Sequence, residues 1–342
     1  MKKALITGVT GQDGAYLTDY LLGLGYFVYG AIRRSSNLNK ERFDFFKLLE
    51  NNNFKLIELD ITDSASLHSF FKEHEVSEAY NLAAQSFVGL SFSQPILTAN
   101  ITGLGPLYIL EAIRQSGKNI KFYQASSSEL YGKVHETPQN ENTVFHPRSP
   151  YGSAKLFAHW SSINYRESYN IFTANGILFN HESPIRGHEF VTRKITNTVA
   201  KIKYGFVDEI KLGNLDAKRD WGFAGDYVKM MHKMLQNGTP EDFVIATGVT
   251  TPVRDFVKWA FSCADINIVF EGKGIDECGY DKSSGKKILS ISPEFFRPAE
   301  VDLLLGDTAK AKEVLNWQPE TSVEKLVEMM VNYDLSLMEN KN

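Results

Sequence analysis

The chain has 342 residues, 43% of them hydrophobic and 23% charged, with a formal net charge of −4. That is length for two domains, or for one core with a sizeable second lobe, in an ordinary globular composition. The charge gives no reason to expect nucleic acid or an anionic membrane as partner, and Cys263 and Cys278, 15 apart without a CxxC, give neither a metal site nor a disulfide framework. The apolar run at 4–7 ends at Gly8 and is too short for a signal segment. No stretch is expected to reach the length of a bilayer span, so a soluble cytoplasmic protein is expected.

In chain order, residues 4–7 read as a strand, and 15–24 as a helix closed by Gly25. Strands follow at 27–32 and 55–59, a helix at 64–73, and a strand at 78–83. A long helix runs from Pro95 to 115 and stops before Gly117. A strand at 121–125, a helix at 151–167 and a strand at 171–178 complete the regular part. Strand alternating with helix predicts an α/β fold, a doubly wound parallel sheet of Rossmann type. After about 181 the pattern loosens, with loops expected at 213–220 and 272–287, the latter mobile. Helix signals return at 226–235, 253–264, 309–315 and 322–335. The expected division is 1–180 plus about 215–250 for the nucleotide-binding domain, and about 181–214 plus 251–342 for a smaller α/β substrate-binding lobe.

The loop Gly8-Val-Thr10-Gly11-Gln12-Asp13-Gly14 joins the first strand to the first helix. Glycine permits a tight turn and close approach to a pyrophosphate, which the helix N-terminus then faces. A glycine trio alone is a weak sign, but strand before and helix after supply the required context. The second strand ends in Arg33-Arg34, where an NAD enzyme usually carries an acid. Arginine suits a 2′-phosphate, so NADP is favoured over NAD; a solvated basic loop is the alternative. Asp60 and Ile61 end the third strand, where they can meet adenine, although Asp60 could equally cap the helix at 64. Leu82, Ala83, Ala84 and Ser86 end the fourth, and small side chains there admit the cofactor.

Tyr151 and Lys155 are i and i+4, on one helix face. An ammonium beside a phenol favours the phenolate, so a lowered Tyr151 pKa is expected, fit to take a proton from an alcohol as its carbon loses hydride. Ser127 and Glu129 follow the fifth strand, at the sheet edge that faces a ligand crevice. A carboxylate is not needed for hydride transfer. It offers removal of a carbon-bound proton, and hence elimination. A capping serine and a solvated glutamate are the bland alternatives.

The combination of GxxGxxG, Ser/Thr-x-Glu and Tyr-x3-Lys resembles the extended short-chain dehydrogenase/reductases, and within them the nucleotide-sugar 4,6-dehydratases. The stretches Gly8–Gly14, 123–132, 147–151, 164–169, 176–184, 190–195, 219–221 and 296–301 narrow the resemblance to the GDP-mannose 4,6-dehydratases. That resemblance implies bound NADP, a GDP-sugar substrate, internal hydride transfer with loss of water, and a homodimer or homotetramer. It implies that Ser127 and Glu129 form the acid/base pair, that Tyr151 is the C4-hydroxyl base and that Lys155 is its partner and a ribose ligand. Ser127 stands where the family usually has threonine, and keeps the hydroxyl. Tyr123, His181 and Arg186 would lie near the cofactor. Ser86, Asn180, Lys194, Arg219, Arg297 and Glu300 would hold the GDP-sugar, with Ser127, Glu129 and Tyr151. The same residues leave room for dehydration of GDP-manno-heptose, for a GDP-sugar 4-epimerase or reductase, which need not use Glu129, and for a nucleotide-sensing module without chemistry.

Overall fold

The computed structural model describes residues 1–34, 40–295 and 304–339. The expected substrate residues Arg297 and Glu300 lie outside the described residues. The first six strands are β1 (Lys3–Thr7), β2 (Phe27–Ile32), β3 (Phe54–Glu58), β4 (Glu78–Asn81), β5 (Lys121–Ser127) and β6 (Thr173–Leu178). The chain then forms β7 (Asn180–Glu182), β8 (Ile210–Leu212), β9 (Lys218–Phe223), β10 (Phe243–Ile245), β11 (Thr250–Pro252), β12 (Ile268–Glu271), β13 (Cys278–Asp281) and β14 (Lys287–Ile291).

Seven strands make one all-parallel sheet in the order β10-β6-β5-β4-β1-β2-β3. Its central strands carry Ala4, Leu5, Ile6, Phe122, Tyr123, Ala174 and Ile177, all fully buried, because helices cover both faces and neither can be polar. From β1 the chain moves outward to β2 and β3, then returns to β4 on the other side of β1. That reversal opens a crevice at the carboxyl ends of β1 and β4, the standard ligand position in such sheets.

Two smaller sheets form the rest. β11-β9-β7 joins segments that follow β6, and β12-β13-β14-β8 packs with helices Val191–Lys203 and Val253–Cys263, against which the last helix, Val323–Glu339, is laid. A separate apolar cluster, including Ile195, Trp221, Phe256, Leu289 and Val331, fills this region. Helix Ala309–Leu315 and Trp317 pack instead with the core of the large sheet.

Three expectations change. The segment 272–287 is not an open loop: it contains β13, paired with β12 and β14, whose Gly279 and Cys278 broke the apolar alternation that marks a strand. The loop expected at 213–220 gives way to β9, hidden in the sequence by Lys218, Arg219 and Asp220. Pro95–Ser116 is a 22-residue helical run, interrupted only by a π turn at Ala99–Leu104, and is long and apolar enough to span a bilayer by length and composition. Half of its most apolar stretch is buried between helices Ser64–Glu73 and Pro150–Tyr169, as in the core of an α/β sandwich. Helix Val191–Lys203 carried no signal strong enough to be read, because Arg193, Asn197 and three threonines sit on its buried face or beside it.

Candidate active site

The cradle is shaped by what cannot fit. Gly8 has φ +71°, and a Cβ there would come within 2.7 Å of the Leu82 carbonyl carbon and the Ala83 nitrogen. Thus β1 and β4 end in backbone-to-backbone contact, which only glycine allows. A Cβ on Gly14 would meet Gly8 and Val9 backbone at 2.5 Å, so the helix Gln12–Gly23 starts tight against the strand end. Gly11 donates to the Gly8 carbonyl at 2.9 Å, closing the turn. Beside it, Leu82, Ala83 and Ala84 are half-buried and Ser86 is exposed. The side-chain amide of Gln85 has both its polar atoms buried and without a hydrogen-bond partner, the type of group that a polar ligand satisfies. Gln85 was missed in the sequence because nothing there distinguishes it from a solvated glutamine.

Arg33 and Arg34 follow β2 and are exposed. Asp60 is exposed after β3 and accepts from the Thr62 nitrogen at 2.9 Å; the helix cap is Asp63, not Asp60. Ile61 is buried, close against Gly105, so its side chain serves the core. Tyr123 is likewise fully buried in β5, with its hydroxyl against Gly176, and does not line the crevice as expected. The reason is the alternation of β5, which turns Tyr123 toward the packed face of the sheet.

Four side chains meet at the end of β5. Ser149 caps helix Pro150–Tyr169 by accepting from the Gly152 nitrogen at 3.0 Å. Gly152 then lets this helix approach the Glu129 carbonyl: an added Cβ would lie 2.9 Å from it. One turn on, Lys155 donates from Nζ to the Ala125 carbonyl at 2.6 Å. The Ser127 hydroxyl and the Glu129 carboxylate both lie close enough to the Tyr151 phenol to act on its protonation. Ser127 also accepts from the Glu129 nitrogen at 3.2 Å, which fixes the turn carrying the carboxylate. Behind them, Ser126 bonds to Nδ1 of buried His159 at 2.9 Å, and burial holds His159 neutral with a pKa of about 4.

The expected lowering of the Tyr151 pKa is not found. Burial pushes the phenol up, the neighbouring Ser127 hydroxyl opposes the rise without winning, and the charge of Glu129 adds to it. Lys155 is itself desolvated, which brings its ammonium down to about 8, and its proton is directed at Ala125 rather than at the phenol.

On the far wall, β7 carries Asn180, half-buried, and His181, buried. His181 lies 2.8 Å from Asp13 through Nε2 and 2.7 Å from the Phe179 carbonyl through Nδ1. Asp13 is held down to about 2: His181 and two hydrogen bonds outweigh the desolvation that would raise it. Gln12 is buried and bonds to Asp13, to the His181 carbonyl and to Ser183. Gln12 and Asp13 therefore spend their side chains on β7 and the residues after it. Arg186 pairs with Glu182 at 3.0 Å and lies over the Phe190 ring. Lys194 sits 3.1 Å from the centre of the Phe295 ring, and burial lowers its pKa to about 8. Arg219 is half-buried on β9 and donates to the Lys218 carbonyl. Asp220, next to it, is buried and accepts from Thr247, Gly248 and Gly306.

A sequence-family model described as GDP-mannose 4,6 dehydratase matches residues 5–330. The GDP-mannose 4,6 dehydratase of Drosophila melanogaster is 52% identical over 343 residues, covering 98% of this chain and 87% of that protein. The Homo sapiens protein of the same description is 52% identical, covering 98% and 92%, and that of Sinorhizobium fredii (strain HH103) 52%, covering 98% and 97%. Among solved structures, dTDP-glucose 4,6-dehydratase from Bacillus anthracis in complex with NAD superposes with a TM-score of 0.81 at 19% identity, covering 99% of this chain and 98% of that one. RMD from Pseudomonas aeruginosa complexed with NADPH gives 0.76 at 20%, covering 98% and 100%. UDP-glucose 4-epimerase from Thermotoga maritima gives 0.81 at 24%, covering 98% and 99%. At such identities these three speak for the fold, while the match along nearly the whole sequence speaks for more: the chain belongs to the GDP-mannose 4,6-dehydratase family.

Proposed function

We propose that this protein carries out the dehydration for which its family is named, converting GDP-mannose to GDP-4-keto-6-deoxymannose and water. The observation that carries the reading is Glu129, a carboxylate placed with Ser127 at the same phenol, Tyr151, beside buried Lys155. An epimerase or reductase needs the phenol and the ammonium only.

The crevice fits a nicotinamide dinucleotide. Gly8 and Gly14 leave no room for a Cβ, the helix at Gln12 points its N-terminus into the crevice mouth, and the Gln85 amide lacks a partner. Two arginines, Arg33 and Arg34, stand exposed after β2 with no acid among them, which favours the 2′-phosphorylated form, NADP. When bound, the nicotinamide supplies a reversible hydride acceptor, so hydrogen taken from one sugar carbon can be returned to another.

The protein's residues handle the protons. Tyr151 takes the proton of the C4 hydroxyl as C4 becomes a ketone. A phenol made reluctant by burial needs positive charge beside it, and Lys155 is the side chain placed to give it. The ketone acidifies the C5 hydrogen, and Glu129 removes it. The C6 hydroxyl leaves as water with a proton from Ser127, which is replaced by the proton that Tyr151 took from the C4 hydroxyl, and Glu129 returns its own proton to C5 at the end. If Glu129 protonates the leaving hydroxyl instead, the proton held on Tyr151 goes to C5. Asn180 on β7, Lys194 on helix Val191–Lys203 and Arg219 on β9 suit the hydroxyls and phosphates of a GDP-sugar. Incubation with GDP-mannose and NADP tests this: the product is expected lighter than the substrate by one water. A product of unchanged mass would mean epimerisation and overturn the reading.

A further inference from the structure

The Gly8–Gly14 loop is tied directly to β7 and the residues that follow it. Asp13 contacts Nε2 of His181 at 2.8 Å. Gln12 Nε2 donates to the His181 carbonyl at 3.1 Å, and Ser183 Oγ donates to Gln12 Oε1 at 2.7 Å. Ser183 in turn accepts from the Ile185 nitrogen at 3.3 Å. Arg42 closes the set, donating from Nη1 to the Thr10 carbonyl at 2.8 Å and from Nε to the Ile185 carbonyl at 2.9 Å. Ser183 is fully buried and Gln12 nearly so.

Beyond this zipper the connections continue toward the expected substrate residues. Glu182 accepts from Thr192 at 2.6 Å, and Arg186 lies over Phe190, the residue that starts helix Val191–Lys203. The Lys194 nitrogen donates to the Phe190 carbonyl at 2.9 Å. β7 pairs with β9 through Asn180–Trp221 and His181–Gly222, two residues from Arg219.

We propose that Gln12, Asp13 and Ser183 act as positioning residues in a polar latch, through which cofactor binding in the Gly8–Gly14 loop tightens the binding of the nucleotide sugar. The proposal rests on the function given above. A pyrophosphate drawn to the loop's N–H groups fixes the first turn of helix Gln12–Gly23, and with it the side chains that hold 181–185. The segment thus ordered bears the start of the helix with Lys194 and borders the strand with Arg219. The coupling is reciprocal by thermodynamic necessity, so bound sugar nucleotide also retains the cofactor between turnovers.

The hydrogen-bond geometry fixes the charge state of the latch. The Phe179 carbonyl and the Asp13 carboxylate can only accept, so His181 carries a proton on each nitrogen, an imidazolium against a carboxylate. Asp13→Ala leaves that cation buried and alone. Asp13→Asn permits a neutral imidazole, with Nδ1–H still on the Phe179 carbonyl and Nε2 accepting from the amide. The conservative variant therefore keeps the bond without the charge.

The test is titration calorimetry of GDP into protein freed of NADP and into protein saturated with it. The wild type is expected to bind GDP about tenfold tighter when loaded, within the usual range of coupling. In Ser183→Ala and Asp13→Ala that ratio falls below about threefold, and Asp13→Asn restores it. A wild-type ratio near one, or an undiminished ratio in both Ser183→Ala and Asp13→Ala, overturns the latch. If GDP binds the wild type in neither state, the proposed function fails, and the latch is then judged by amide hydrogen exchange. NADP addition should slow exchange across residues 181–190 in the wild type and not in Ser183→Ala, whereas equal slowing in both overturns it.

Discussion

Lys155 donates its ammonium proton to the Ala125 carbonyl at 2.6 Å, and so pins the helix bearing Tyr151 to the end of the strand bearing Ser127. The bond fixes the catalytic face but holds a cation in a buried position, where its charge is costly. In the folded protein the lysine's pKa falls from 10.5 to about 8.

A lysine with a lowered folded-state pKa binds fewer protons than in the unfolded chain between about 8 and 10.5. Stability therefore rises with pH across that window, and the whole penalty is present below it. The difference corresponds to roughly 3 kcal/mol as an upper value, at 1.36 kcal/mol per pKa unit. Cofactor-free Lys155→Met should be more stable than the wild type at pH 7, and the gap should shrink as pH rises past 8. Urea denaturation at pH 7, 8.5 and 10 measures it; a pH-independent gap would refute the assignment.

Glu129→Gln removes the C5 base and leaves Ser127, Tyr151 and Lys155 in place. Loss of a general base costs about 10²- to 10⁴-fold. Water loss from GDP-mannose should fall by that factor, while C4 oxidation persists and appears as NADPH absorbance. Full turnover by this variant would show that the carboxylate is dispensable.

Arg33→Ala with Arg34→Ala should erode the preference for NADP. Hydrogen bonds to charged groups contribute about 1.5–3 kcal/mol each, so NADP affinity should drop at least tenfold while NAD affinity changes little. Fluorescence titration with both dinucleotides decides it. An equal loss for both would place the arginines away from the 2′ position.

Asp334 is fully buried, 2.8 Å from Arg193, and also accepts from Thr196 and Asn197. It fastens helix Val191–Lys203, which carries Lys194, to the last helix. Removing one partner of such a pair typically costs 3–5 kcal/mol, because the other charge is left buried. Asp334→Ala should lower the stability by about that much in urea denaturation. A loss under 1 kcal/mol would mean that Arg193 finds another partner.

Six of the seven strands of the sheet were legible as short runs bounded by glycine or polar residues, and β2 and helix Ser64–Glu73 fall where the sequence placed them, whereas β10, only three residues long, was not read. The cradle was legible because Gly8 and Gly14 mark backbone positions where a Cβ would collide with neighbouring backbone. The far wall was not. β7 has only three residues, and Asn180, His181, Arg219 and Asp220 obscure any alternation in β7 and β9. Their placement comes from partners distant in the chain, as with His181 and Asp13, 168 residues apart. The same distance explains why Gln12 and Asp13 read as cofactor ligands, although their side chains turn to β7. Tyr151 was misjudged in direction because the i, i+4 spacing reveals Lys155 but not the depth of burial, which dominates the phenol's pKa.

The central claim is that hydrogen leaves C4 and returns to C6 of the same sugar as water is lost. GDP-mannose deuterated at C4, turned over with NADP at far below substrate concentration and examined by NMR and mass spectrometry, tests it most directly. The account predicts a 4-keto product with the deuterium in its C6 methyl group. Deuterium released to solvent or accumulated in the cofactor, or returned to C4 in a product that has lost no water, would contradict it.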